Sequence, residues 1–156
     1  MNTLLVENVR AADGRYLNDN ELQPLQDYLT TFAVRVETYN LLGTHAEVMI
    51  LQTLQKLAQT DRATIQQHGD KCKRDMNYVL QSAALAILKD DEEGFTEQLV
   101  MWMQNIMTAL NKEAQSAKAY QMLQEVVALH FPKDNARLVN RYLELFVTAL
   151  TTGMAA

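Results

Sequence analysis

The chain has one cysteine, and it opens the run Cys72-Lys73-Arg74-Asp75-Met76-Asn77-Tyr78. On a helix, Cys72, Asp75 and Tyr78 or Val79 share a face, because three to four residues make about one turn. Arg74 lies on a flank. A thiol serves as a nucleophile or a covalent attachment point. The carboxylate accepts hydrogen bonds, the guanidinium offers a planar fork, and the phenol pairs an apolar body with a polar tip. Taken alone, the same run also describes a plain helical cysteine near a salt-bridged Arg74 and Asp75. One thiol excludes an internal disulfide and any multi-cysteine zinc site, and it fits a reducing compartment.

Other chemistries find less support. A heme globin needs an imidazole facing an apolar pocket. Of the three histidines, His45 is read at a helix start, His68 in a polar loop and His130 near a helix end beside Pro132, so surface or capping roles are expected. Asp90 to Glu93 have no His or Cys partner, and no metal site is expected. Met101, Met103, Trp102 and Met107 suggest a sulfur-rich core face, part of it available to a partner. No Ser-His-Asp order, Gly-rich phosphate loop or isolated carboxylate pair is found, so no catalytic residue and no enzyme activity are expected. With 14 Lys and Arg against 19 Asp and Glu the net charge is -5, which argues against a nucleic-acid partner. No run approaches the roughly 18 uninterrupted apolar residues of a membrane span. Met1 to Glu7 lack a basic-then-apolar pattern, so no secretory signal is expected.

The elements that must position Cys72 are helices. The 156 residues include only 5 Gly and 2 Pro, too little punctuation for an all-β chain. Residues 3–11 predict a short helix with Leu4, Leu5 and Val9 on one side, then an Asp13-Gly14 turn. Asn18 or Asp19 caps a second helix, with Pro24 near its first turn and Leu22, Leu25, Leu29 and Phe32 at helical spacing. Gly43-Thr44 predicts a stop and a new cap. Residues 58–70 are polar and predict a long loop. From Lys71 to Leu88 the apolar stripe Met76, Val79, Leu80, Ala83, Ala84, Ile87, Leu88 is continuous. A charged turn, a dense helix over 95–110, an amphipathic helix over 114–131 closed by Phe131-Pro132, and a last helix over 135–150 follow. In the last, Leu138, Tyr142, Leu145, Phe146 and Ala149 face inward. The fold class is all-α, with some eight helices in one domain spanning 1–156.

The Cys-x-Arg-Asp spacing of Cys72, Arg74 and Asp75 resembles the attachment motif of the phycobiliproteins. The resemblance runs along nearly the whole chain: Asp13-Gly14-Arg15-Tyr16-Leu17, Arg35, Thr44-His45-Ala46, Leu80 to Asp91, and Arg141-Tyr142-Leu143-Glu144. It implies a globin-like phycobiliprotein fold with an N-terminal helical-hairpin extension, 1–32 pairing with another subunit and 33–156 forming the globin-like core. It implies a phycobilin held by a thioether to Cys72, its ring N–H groups on Asp75, a propionate on Arg74, and a ring against Tyr78. The implied function is light harvesting and excitation transfer in the phycobilisome. The partners would be a related subunit, as a hetero- or homodimer or a ring, and linker or antenna proteins. The implied place is the cytoplasm, peripheral to the thylakoid membrane. Asp13 and Arg15 are candidates for interface ion pairs.

The chain departs from the family pattern at several points. The connection from Leu57 to Cys72 is short and lacks the Pro-Gly-Gly-Asn-like loop that covers the bilin. Asp90-Asp91 replaces a Gly-Asp turn, Gln104-Asn105-Ile106-Met107 replaces Arg-Glu-Met-Tyr, and Leu110-Asn111-Lys112-Glu113 replaces Leu-Gly-x-Pro. These changes sustain two alternatives: a bilin-free relative with a structural, assembly or regulatory task at the antenna, and a globin-like sensor holding heme or another ligand.

Overall fold

The computed structural model describes residues 3–154. Among them seven α-helices run in order: α1 (Thr3–Ala12), α2 (Asp19–Thr60), α3 (Arg62–Lys89), α4 (Glu92–Phe95), α5 (Met101–Ala109), α6 (Glu113–His130) and α7 (Lys133–Met154), with a π-helical turn at Thr96–Val100 joining α4 to α5. No strand occurs among the described residues, as expected of the fold class. No described helix is long and apolar enough to cross a membrane.

The largest difference from the sequence reading is α2. Its 42 residues continue through Gly43-Thr44, giving a rod of roughly 60 Å. A mid-helix glycine costs about 1 kcal/mol. The buried series Arg35, Thr38, Leu42, Met49, Ile50, Thr53 and Leu57 keeps one helical register across it. Packing that series against α3 outweighs the local preference. Nothing lies within 4 Å of the position a Cβ would take on Gly43, so the glycine answers no steric need.

The second difference is the expected loop over 58–70. Asp61 alone separates α2 from α3, with φ -147° and ψ 70°. Its side chain accepts from the Thr64 N–H at 3.1 Å, and its own N–H donates to the Leu57 carbonyl at 2.9 Å. One residue thus closes one helix and caps the next. The polarity of this stretch reflects exposure: Gln66, Gln67 and Asp70 face solvent, while Ile65 packs on the core.

α2 packs chiefly on α3, and α6 on α7. Their shared core includes Met49, Met76, Val79, Ile87, Leu123, Tyr142 and Phe146. The π-helical turn shifts register by one residue, so Leu99 and Val100 are buried next to each other before Met103 and Met107. In α7, Tyr142 and Phe146 are buried as expected and Leu138, Leu145 and Ala149 partly so, with Val139, Leu143, Val147 and Leu150 added to the buried face. Asp90 and Asn111 take left-handed φ values of 55° and 51°, ending α3 and α5 where glycine is more usual.

At the N-terminus α1 folds back on α2. Leu5 and Ala12 are buried, whereas Val9, Leu29 and Phe32 remain exposed, so the apolar spacing in this hairpin is only partly used within the chain. Asn18 and Glu21 form a reciprocal capping box. Arg15 is bidentate on Glu21, at 2.9 and 2.7 Å, so its fork is engaged inside its own chain. The Arg15 bonds, with help from the Asn18 N–H, hold the Glu21 carboxyl down to about 2. A folded value below the unfolded one stabilises above about pH 4.5 and is lost as pH falls toward 2. Lowering the pH from 5 to 2 is expected to reduce amide protection factors in α1 ahead of the core. An equal loss of protection in Glu21→Gln would remove the assignment.

Candidate functional site

Asp61 starts α3 beside the end of α2, and the first four turns of α3 face the α5–α6 corner. A cavity of about 310 Å³ opens there. Cys72 and Asp75 both line it, one turn apart on α3. Leu57 and Thr60 contribute from α2, Met107 and Leu110 from the end of α5, and Ser116, Ala119 and Tyr120 from α6. The walls are mostly apolar. The exposed part of the lining carries Lys71, Lys112 and Lys118 together with His68 and Asp61, a lysine rim on an acidic protein. The Lys118 ammonium donates to the Thr60 hydroxyl at 3.4 Å.

The four residues singled out from the sequence divide into two groups. Cys72 and Asp75 come together on the cavity. Arg74 and Tyr78 lie on the exposed side of α3 and do not line it. The helix angle accounts for this: at about 100° per residue, Arg74 sits roughly 200° from Cys72 and Tyr78 roughly 120° off the same face. Val79, the alternative named with Tyr78, continues the Cys72 face and is fully buried. The Tyr78 ring instead meets Trp102 edge-on, with centroids 6.4 Å apart. Among the histidines, His68 stands on helix α3 at the cavity mouth rather than in a loop. His45 lies against Phe131 on α2, and His130 bonds Gln52.

The Cys72 thiol is part-buried, and burial first, then the Asp75 charge, pushes it above its ordinary value. The thiolate fraction at neutral pH is correspondingly small. The thiol is sheltered, and the lysines of the cavity rim do not offset these two effects.

Tyr120 was not legible as a site residue. It is 3% exposed, its ring edge-on to Phe146 at 4.6 Å. Its hydroxyl is buried with no hydrogen-bond partner, which costs about 1–3 kcal/mol if nothing fills the need. Burial, then the charges of Cys72 and Asp75, hold the phenol well above its ordinary value, so it stays neutral. The sequence carried one signal: a polar-tipped residue at helical spacing within the apolar series Ala117, Tyr120, Leu123, Val127.

The family model described as phycobilisome protein matches residues 8–150. The chain therefore belongs to the phycobilisome protein family, and its all-α, globin-like architecture is that family's. It is 24% identical over 162 aligned residues to an allophycocyanin beta subunit of Picosynechococcus sp., covering 97% of this chain and 100% of that one. It is 20% identical to the allophycocyanin subunit beta-18 of Aglaothamnion neglectum, over 82% of this chain and 80% of that one. A phycobiliprotein beta chain of Mastigocladus laminosus is 24% identical, over 80% and 79%. At such identities this is a divergent member.

A linear tetrapyrrole fits the residues present. Its needs are a thiol for a thioether, a carboxylate for its ring N–H groups, flat apolar walls and cations for its propionates. Cys72, Asp75, the Leu57–Met107–Leu110 surface and the lysine rim offer these at one place. The volume is near the lower end of ligand pockets, roughly 300 Å³, so part of such a molecule would lie along the open mouth.

Proposed function

We propose that this chain is a bilin-carrying, non-catalytic light-harvesting subunit of the phycobilisome, with the pigment joined to Cys72. The observation that carries this reading is the meeting of Cys72 and Asp75 on one apolar cavity. The pigment supplies the visible absorption; the chain's part is to tether, orient and shield. The sulfur of Cys72 fixes one end. The carboxylate of Asp75 accepts N–H bonds from the inner edge and favours a cationic pigment by a charge-assisted bond. Lys71, Lys112 and Lys118 are placed for propionates, whereas Arg74 would have to reach around its helix.

The exposed Val9, Leu29 and Phe32 support the N-terminal hairpin, residues 1–32, as the surface that pairs with a related subunit, with 33–156 as the globin-like core. The proposed place is the cytoplasmic face of the thylakoid membrane, reached through antenna or linker proteins.

One observation favours a second reading. The covering loop implied by the resemblance is absent: Asp61 alone joins α2 to α3, and the cavity stays open on one side. This supports a pigment-free member acting in assembly or structure at the antenna.

Expression in bilin-producing cells separates the two. Under the first reading the denatured protein retains visible absorption, and Cys72→Ala loses it entirely. A colourless wild-type protein that still pairs with antenna subunits would overturn the pigment reading. A sharp Soret band would point to a heme-holding globin-like sensor instead.

A further inference from the structure

The Tyr120 hydroxyl is a buried group without a partner, on a residue that lines the same cavity as Cys72 and Asp75. Its ring is held by Phe146, at 4.6 Å between centroids, so the tip has little freedom to search elsewhere. Of the neighbouring polar groups, Ser116 donates to the Met107 sulfur at 3.1 Å and the Lys118 ammonium is on Thr60, while Asp75, whose charge reaches the phenol, makes no hydrogen bond to it. Buried hydroxyls without a bond are few in folded proteins, and each calls for a physical explanation, a ligand among them.

We propose that Tyr120 is a ligand contact, donating its hydroxyl proton to a ring carbonyl oxygen of the tetrapyrrole while Asp75 accepts from the ring N–H groups. The assignment rests on the pigment reading above, and it names a residue outside the attachment motif. The two groups are complementary. Asp75 is an acceptor toward the pigment's donors. Tyr120, kept a neutral phenol by its burial, is a donor toward the pigment's acceptor. Together with the Cys72 tether they fix the molecule at points on two helices, α3 and α6. The orientation of one ring would then be set by α6, a helix the motif does not include.

The test uses biliverdin as the probe and a Cys72→Ser background, so that binding stays reversible. Quenching of Trp102, the sole tryptophan of the chain, reports the Kd. Tyr120→Phe is expected to weaken binding roughly three- to tenfold and to move the red absorption band of the bound pigment. In the empty protein the same substitution is expected to leave the helical circular dichroism unchanged and to raise the urea midpoint, because no protein bond is lost. An unchanged Kd and band, with wild type binding normally, would overturn the Tyr120 contact and leave the pigment reading intact. A lowered urea midpoint would overturn it too, since the hydroxyl would then have a structural partner. Absence of biliverdin binding by wild type, together with a colourless product from bilin-producing cells, would defeat both.

Discussion

Asp75→Asn is expected to shift two measurements in opposite directions. The Asp75 charge contributes to raising the Cys72 thiol, so removing it enlarges the thiolate fraction and speeds alkylation by iodoacetamide at pH 8. Burial is the larger cause, so the gain stays under about tenfold. Pigment binding should weaken in the same variant. A charge-assisted hydrogen bond contributes about 1.5–3 kcal/mol, so the Kd for biliverdin should rise roughly 10- to 150-fold. Loss of the carboxylate also removes the preference for a cationic pigment, and the absorption of any bound fraction should respond to pH near neutrality. Faster alkylation with unchanged biliverdin affinity would place Asp75 beside the thiol and outside the binding site.

The second large effect is expected at Arg35. This side chain is 1% exposed, and its guanidinium is spent on backbone and ring. Nη1 donates to the Leu88 carbonyl at 2.6 Å, Nη2 to the Tyr28 carbonyl, and Nε to the Thr31 hydroxyl at 3.1 Å. The cation also lies 4.1 Å from the centre of the Tyr28 ring. Leu88 belongs to the last turn of α3, where carbonyls have no partner within the helix and the dipole favours a cation. Arg35 therefore ties the end of α3 to the body of α2. Arg35→Leu keeps the apolar bulk but removes the cation and the shortest bond to the Leu88 carbonyl, and is expected to lower stability by about 2–4 kcal/mol, read as a lower urea midpoint at constant m. Arg35→Lys should recover less than half, because an ammonium cannot span the fork. A loss under about 0.5 kcal/mol in Arg35→Leu would mean that water reaches the carbonyls.

What the sequence made legible follows from the range over which each signal acts. The stripe from Met76 to Leu88 is a local pattern, and it matches the buried face of α3 except at its end, where Leu88 is only partly buried and Ala86 is buried instead. The Cys72–Asp75 relation is also local, one turn on one helix. The stop expected at Gly43 failed because a glycine's local cost is small beside the burial of Leu42, Met49 and Ile50 on either side. The polar run 58–70 was misread because polarity reports contact with water, and a helix lying on the surface has as much of that as a loop. Helical spacing leaves Tyr78 and Val79 as alternatives on the Cys72 face, and the structure buries Val79, while Arg74, a flanking residue given its role only by the resemblance, lies exposed outside the cavity. Tyr120 lies on another helix, and only the packing of α6 on the core brings it to Cys72. No periodicity within one segment reports such a meeting.

The unbroken course of α2 through Gly43 also bears on assembly. One rod carries the exposed Leu29 and Phe32 near its start and the cavity residues Leu57 and Thr60 at its end, and Phe32 and Leu57 are separated by roughly 40 Å of helical rise. A subunit seated on the hairpin is thus indexed to the cavity by a stiff ruler with no joint between them. The separation of successive cavities in any oligomer built through that hairpin would be dictated by backbone geometry, with side chains adjusting only the fit.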